Sequence, residues 1–328
     1  MSDYIVVTPE FDEEKKRIIK ENIQTKNRTI NFLASTSPEK RKEVLQRATV
    51  LLTFNPERDL SGEEYQRLQN VKFIQLISAG ADHFPFKKIP DRIKIASNTG
   101  AYGRPIAEHV VAMALCFAKR LREEHQNMQN GDFKQFEVYS KAIYNSTVGI
   151  LGFGGIGRAT ARLFKAFGAQ IFGMNTTGQT DEPVDFIGTT SDLEHILESS
   201  DIVVLSLPLN NNTRQLIRKE QLEWMKSNAI LINVARGELI NQKDLYEHLK
   251  KHPEFKAGLE SWWVEPLRHG SFELEYPLLD LPNVLASPHN SSAVPGIMNH
   301  GVAEAAKNVD KYLRGEPFKG EINRKDFV

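Results

Sequence analysis

Val148-Gly149-Ile150-Leu151-Gly152-Phe153-Gly154-Gly155-Ile156-Gly157-Arg158 is the stretch on which the rest of the chain turns. Val148 to Leu151 reads as a short buried strand, and Arg158 to Phe167 reads as a helix-compatible run. Between them stands a G-x-G-x-x-G spacing. Among 21 glycines that spacing decides little, but a strand directly before it and a helix directly after it make it a dinucleotide site. Gly152 permits the tight turn, Gly154 lets the main chain approach a pyrophosphate, and Gly157 lets helix and strand pack closely. The amino terminus of the helix after Gly157 presents free amides to the phosphates, so Gly155, Ile156 and Arg158 join Gly152, Gly154 and Gly157 as expected cofactor contacts.

Working outward, short Val-, Ile- and Leu-rich runs alternate with longer charged, helix-periodic segments, the pattern of parallel sheets covered by helices. Before the glycine turn, strands are expected near Ile5 to Thr8, Thr49 to Thr53, Phe73 to Leu76 and Ile93 to Ala96, with helices over Glu13 to Asn22 and Pro38 to Arg47. From Pro105, which suits a first helical turn, one helix is expected to run toward Gln129. Six strands then follow, near Thr147 to Leu151, Gln170 to Met174, Asp201 to Leu207, Ala229 to Val234, Ala257 to Glu260 and Val284 to Ser287. A last helix, Ala293 to Arg314, is expected to return to the first domain. The expected architecture is α/β, with a Rossmann dinucleotide-binding domain over residues 105–289 inserted into a flavodoxin-like substrate (catalytic) domain over residues 1–104 and 290–328.

Composition narrows the partners. Forty-two basic residues balance forty-two acidic ones with no dominant charged tract, so neither nucleic acid nor anionic lipid is expected. No apolar run approaches the roughly 20 residues of a membrane span; the best, Ala107 to Ala118, includes Glu108 and His109. The N-terminal segment has no signal-peptide layout, and the single cysteine, Cys116, reads as a buried small hydrophobe. A cytoplasmic protein acting on a small molecule, with no metal, is the expectation.

In open α/β sheets the ligand lies beyond the carboxyl ends of the strands, and three charged residues fall there. Arg236 follows the strand ending at Val234, Glu265 comes shortly after the strand ending near Glu260, and His289 follows Ser287-Pro288. Taken singly, each has a plain reading as a surface ion-pair partner, a solvated carboxylate or a strand cap. Taken together they fit hydride transfer to a 2-oxo acid. Arg236 offers a planar fork of donors to the carboxylate and keto oxygen, His289 is a proton donor suited to neutral pH, and a carboxylate such as Glu265 beside it favours the imidazolium.

With those residues in place the chain resembles the D-isomer-specific 2-hydroxyacid dehydrogenase family over essentially its whole length. The matching stretches are Ser78-Ala79-Gly80-Ala81-Asp82-His83, Ile106-Ala107-Glu108-His109, the glycine turn, Leu207-Pro208-Leu209 with Asn212-Thr213-Arg214, Asn233 to Gly237, Glu265-Pro266 and Pro288-His289. The resemblance implies reversible reduction of a 2-oxo acid to the D-2-hydroxy acid by NAD(P)H, with Arg236, Glu265 and His289 as the catalytic set. It also implies cofactor contacts from Leu207, Pro208, Thr213, Val234, Ala235 and Glu260. Backbone amides of Ser78-Ala79-Gly80 would hold the substrate carboxylate, and a homodimer would form through the dinucleotide domain. Phe54 occupies a region that shapes the substrate pocket in the family; ordinary core packing is the equal alternative.

Three departures stand out. Glu260 occupies a place where the family usually has Asp, which puts the usual contact to the nicotinamide amide in doubt. Trp262 and Trp263 replace smaller or more polar residues, implying either a bulky substrate or packing. After the second strand of the dinucleotide fold the chain reads Asn175-Thr176-Thr177-Gly178, with no acid before Asp181. A carboxylate there hydrogen-bonds the ribose of NAD and repels a 2′-phosphate, so its absence favours NADP(H) over NAD(H), with Asn175, Thr176, Thr177 and Arg158 as candidate phosphate contacts. Two other readings compete. Formate dehydrogenases resemble the family but carry Gln where Glu265 stands, and a dinucleotide-sensing corepressor would keep the fold while binding partner peptides.

Overall fold

The computed structural model describes residues 3–137 and 139–328. The chain divides into two compact units, Met1–Tyr102 with Val294–Val328, and Gly103–Ala293. In the first unit the strands are β1 (Asp3–Val7), β2 (Arg28–Phe32), β3 (Val50–Thr53), β4 (Phe73–Leu76) and β5 (Lys94–Ala96). They form one parallel sheet in the order β2-β1-β3-β4-β5, the flavodoxin-like arrangement. Side chains alternate across it. Val6, Leu51, Ile74 and Ile95 enter one apolar layer, and their neighbours Ile5, Leu52, Phe73 and Ala96 enter the other. The C-terminal helix Ile297–Leu313 covers the second layer with Val302, Ala305, Ala306 and Val309.

The second unit carries β6 (Thr147–Leu151), β7 (Gln170–Met174), β8 (Phe186–Gly188), β9 (Ile202–Leu205), β10 (Ile230–Asn233), β11 (Lys256–Leu259) and β12 (Val284–Ala286). All are parallel, in the order β12-β11-β10-β9-β6-β7-β8. Strand order reverses between β6 and β9, which makes the exit of these two strands the switch point where such sheets bind ligands. Both α/β sheets match the expected fold class. Each contains one strand more than the sequence suggested, β2 and β8, and both extra strands lie at a sheet edge.

Two further expectations need correction. The helix containing Pro105 does not run to Gln129: it spans Gly103–Ala118, and a second helix, Leu121–Gln129, begins after Arg120 adopts a left-handed φ of +53°. The second helix has no buried residue, and its Arg122 donates Nη1 to the Val284 carbonyl at 3.0 Å. Cys116 is only partly buried. Among the described residues no helix is long and apolar enough to cross a membrane, and no group of three or more His, Cys, Asp or Glu side chains could hold a metal.

Candidate active site

The glycine turn at the exit of β6 has the geometry that its sequence requires. Gly152 has φ +99°, and a Cβ there would lie 2.6 Å from the amide nitrogen of Leu207 at the exit of β9. Ser206 fastens this junction by donating its hydroxyl to the Gly152 carbonyl at 2.8 Å. A Cβ on Gly157 would lie 2.3 Å from the Gly152 oxygen, so helix and turn touch through bare backbone. Gly154 is the opposite case: a Cβ would meet nothing within 4 Å, which leaves open space in front of the helix Gly155–Ala166. No side chain caps the helix start there, so its first amides are free of a capping side chain, the arrangement that suits a phosphate. Gly103, opening the neighbouring helix, comes within 2.9 Å of the Gly155 oxygen measured from its would-be Cβ, so that helix braces the turn from behind.

Beyond β7, Asn175 is spent on the loop itself. Its Oδ1 accepts the amides of Thr177 and Gly178 at 2.9 and 2.7 Å, and its Nδ2 donates to the Gln179 carbonyl at 2.8 Å. Asn175 thus forms an Asx turn that shapes the loop, with one Nδ2 hydrogen spent on Gln179. Thr176 and Thr177 are exposed, though the Thr177 hydroxyl also leans on Asn175 Oδ1. Arg158 stays near this loop, paired with the exposed carboxylate of Asp181.

At the other end of the sheet, Glu265 and His289 meet. Nδ1 of His289 lies 2.9 and 2.8 Å from the two carboxylate oxygens of Glu265. Burial raises the cost of ionising Glu265, but the His289 hydrogen bond, the Trp262 amide and the charges of His289 and Arg236 outweigh it and hold the carboxyl below its usual range. An ionised carboxylate only accepts, so Nδ1 carries the hydrogen and Nε2 is the nitrogen left for exchange with a ligand. Arg236 follows β10, is half-buried, and donates Nη1 to the Ala235 carbonyl at 2.7 Å. Asn233 tightens that bend, accepting the Ala235 amide at Oδ1 and donating Nδ2 to the Arg236 carbonyl. Gly237 is required there: a Cβ would lie 2.3 Å from the carbonyl carbon of Trp262.

Several residues to which the sequence assigned no supporting role hold this pair. The Trp262 amide donates to Glu265 Oε1 at 2.7 Å, while its indole Nε1 donates to the Ser287 carbonyl at 2.8 Å, two residues before His289. The Glu265 amide donates to Nδ1 of His269 at 3.0 Å, and His109 bonds the Ser287 hydroxyl at 3.0 Å. Only the four-residue spacing of Glu265 and His269 hinted at this in advance. Trp263 donates its indole to the Ile240 carbonyl. Both indoles are thus tied to the main chain of the dinucleotide unit, Trp262 buried and Trp263 partly buried.

Other expected residues sit as follows. Leu207 is partly buried and Pro208 exposed beside Gly152, whereas Thr213 turns its hydroxyl inward to the Pro208 carbonyl at 2.6 Å. Val234 and Ala235 are buried at the exit of β10. Glu260 is 0 % exposed, with Oε1 accepting the Ser291 amide, so its carboxyl is not presented to a cofactor and the expected contact is corrected. In the first unit, Phe54 packs against the core and stands edge-on to Phe11, favouring its packing reading. Ser78 closes its loop by donating its hydroxyl to Gly80, leaving Ala79 and Gly80 partly exposed.

Comparison with known proteins agrees with this geometry. Residues 111–291 match the model of the D-isomer specific 2-hydroxyacid dehydrogenase NAD-binding domain. The chain is 31% identical to a hydroxypyruvate reductase of Thermotoga maritima, over 76% of this chain and 78% of that one. It is 33% identical to the glyoxylate reductase/hydroxypyruvate reductase of Mus musculus, over 77% of each. Among solved structures, a Pyrobaculum aerophilum protein provisionally described as a formate dehydrogenase superposes over all of both chains with a TM-score of 0.81 and 26% identity. Taken with the glycine turn at the switch point, these matches place the chain in the D-isomer specific 2-hydroxyacid dehydrogenase family, as an NAD(P)-dependent oxidoreductase.

Proposed function

We propose that this enzyme reversibly reduces a small 2-oxo acid to the D-2-hydroxy acid, with glyoxylate and hydroxypyruvate, the substrates named for its relatives, as the first candidates. The observation that carries the reading is the bifurcated contact of Glu265 with His289 Nδ1, which leaves Nε2 as the exchangeable position. The bound reduced nicotinamide supplies a hydride to the carbonyl carbon. Arg236 holds the substrate carboxylate and draws electron density onto the keto oxygen. His289 delivers the Nε2 proton to that oxygen, is left neutral, and recovers a proton from solvent, while Glu265 compensates the positive charge of the imidazolium. In oxidation the same nitrogen takes the hydroxyl proton. The exposed loop amides of Ala79 and Gly80 are proposed as carboxylate donors in their own right.

Glu265 also separates this reading from formate oxidation, which releases no proton and needs no acid–base pair. A panel of glyoxylate, hydroxypyruvate, branched 2-oxo acids and phenylglyoxylate, assayed with NADH and with NADPH, tests the proposal. Consumption of neither cofactor with any of them would overturn it.

We infer further that NADPH is preferred over NADH, because no carboxylate ends β7. The Asp181 carboxylate on Arg158 works against that preference, so it rests on the missing repulsion rather than on a dedicated phosphate clamp. A homodimer through the dinucleotide unit is also proposed. Its support is the run of exposed large apolar side chains, Leu121, Met128, Phe133, Phe136, Tyr139 and Tyr144, in one segment of that unit. Light scattering on the purified protein decides between a dimer and a monomer.

A further inference from the structure

Glu260 directly follows β11 and is wholly buried, yet it is tied to the main chain of a different strand exit. Its carbonyl oxygen accepts the amide of His289 at 2.9 Å, and its Oε1 accepts the amide of Ser291 at 2.8 Å. One residue therefore grips both ends of the segment 289–291. Within that segment His289 has φ +52°, a left-handed backbone that a non-glycine residue keeps only where its surroundings impose it. The second carboxyl oxygen, Oε2, is buried with no hydrogen-bond partner among the described residues. Burial pushes the Glu260 carboxyl up, against the lowering effects of His289 and of the Ser291 amide. A group in that setting is poorly suited to meet a ligand as a carboxylate and well suited to hold backbone.

We propose that Glu260 is a positioning residue for His289: by holding the amides of residues 289 and 291 it imposes the left-handed turn that delivers Nδ1 to Glu265 and turns Nε2 outward. The proposal rests on the assignment of His289 as proton donor. It differs from a contact to the nicotinamide amide, which needs a carboxylate at the ligand surface. The length of the side chain matters in one case and its charge in the other. Aspartate is one methylene too short to reach the Ser291 amide from the same backbone, whereas glutamine reaches it without the charge.

The test compares Glu260→Gln with Glu260→Asp. For each, cofactor affinity is measured by quenching of tryptophan fluorescence, and turnover by steady-state kinetics. The pH response of the His289 ring resonances is followed by NMR in the free protein, with His289→Gln used for assignment. The charged groups around that ring are Glu265, Glu260 and, acting through Glu265, Arg236. Glu260→Gln is expected to stay within about threefold of the wild type in kcat, whereas Glu260→Asp loses roughly tenfold or more as the imidazole is misaligned. The His289 response should move in the Asp variant, and cofactor affinity should change little in either. The reverse order, with Asp tolerated and Gln weakening cofactor binding about tenfold while the His289 response stays put, would assign Glu260 to the cofactor instead. Unchanged kinetics and resonances in both variants would reduce it to a core carboxyl. Because the resonances are read without substrate, the proposal stands or falls even if no 2-oxo acid is turned over.

Discussion

The two units are built alike and used differently. Each is a parallel sheet with apolar layers on both faces, and in each the loops leaving the carboxyl ends of the strands are the places where chemistry can be installed. In the first unit the candidate substrate contacts in those loops are uncharged, Phe54 after β3 and Ser78-Ala79-Gly80 after β4, although Asp82 and His83 follow in the second of these loops. In the second unit the loops carry the glycine turn after β6, Arg236 after β10, Glu260 and Glu265 after β11, and His289 after β12. Architecture alone thus says where to look and nothing about what will be found. What makes the second sheet the candidate reacting half is that Arg236, Glu265 and His289, the three residues proposed as the catalytic set, all follow its strands.

The sharpest way to break this contrast is to remove Arg236, the cation proposed to hold the substrate carboxylate. Arg236→Ala should lower kcat/KM for 2-oxo acids by on the order of a thousandfold, about 4 kcal/mol of transition-state binding, because a charge-assisted bidentate contact is lost. Cofactor affinity should stay within a few-fold, since the glycine turn lies after a different strand. Near-normal turnover would remove the carboxylate clamp from the mechanism and leave the second sheet with no special claim.

Stability should divide along the same line. His248, on the helix Gln242–Lys251 of the second unit, is 8 % exposed, packed with its ring tilted against His252 and edge-on to Phe255, and its Nε2 has no hydrogen-bond partner among the described residues. Burial, with the charges of His252 and Lys251, pushes its pKa down from 6.5 to about 4. The folded state therefore keeps the imidazole neutral while the unfolded state takes a proton. Stability from this residue is complete above about pH 6.5 and is lost as pH falls toward 4, by at most about 3 kcal/mol. All three tryptophans, Trp224, Trp262 and Trp263, lie in this unit, so urea unfolding followed by their fluorescence reports on it selectively. The midpoint should fall between pH 6.5 and 4.5 in the wild type and much less in His248→Leu. Equal slopes would mean that another group carries the acid response.

Legibility in the sequence followed burial. Strands buried on both faces, such as Val50–Thr53 and Ile202–Leu205, read plainly as apolar runs. The two that escaped notice, Arg28–Phe32 and Phe186–Gly188, are edge strands; the first has no fully buried residue and the second only one, so neither has an apolar run to read. The break at Arg120 was hidden because an arginine in a left-handed conformation has no signature of its own. In the site, Arg236, Glu265 and His289 could be found because charged residues at strand exits are conspicuous. Their supports could not. Trp262 acts through its amide and indole, and Ser291 through its amide, and hydrogen bonds of this kind depend on main-chain positions set by the whole sheet.

A smaller effect concerns the cofactor. Asn175 holds its loop mainly through Oδ1, so Asn175→Asp keeps the acceptors for Thr177 and Gly178 and places a negative charge where a 2′-phosphate would lie. Two like charges near a protein surface repel by up to about 4 kcal/mol at contact, and solvent and the neighbouring Arg158 reduce this to roughly half, so the ratio of kcat/KM for NADPH to that for NADH should drop about 30-fold, or ~2 kcal/mol. A wild-type enzyme that already favours NADH, or a variant with an unchanged ratio, would show that this loop does not read the phosphate.

The smallest expected shift is the most direct probe of the reacting sheet. Reduction requires a protonated His289 and oxidation a neutral one, so with rising pH the first should fall and the second rise. Glu265 is ionised across this range because the His289 hydrogen bond, the Trp262 amide and the nearby positive charges overcome its burial. Its depressed pKa means that the pair's contribution to stability is complete above the ordinary carboxylate range and is lost only as pH falls below it. Glu265→Gln keeps an oxygen for the Trp262 amide but removes the charge that favours the imidazolium, so both limbs should move to lower pH by about one unit, or ~1.4 kcal/mol. The sign matters more than the size. A shift to higher pH would mean that Glu265 opposes protonation of the imidazole, and superimposable profiles would mean that two groups 2.8 Å apart do not act together. Either result would return the charges of the second sheet to the status of ordinary surface chemistry and erase the functional difference between the two units.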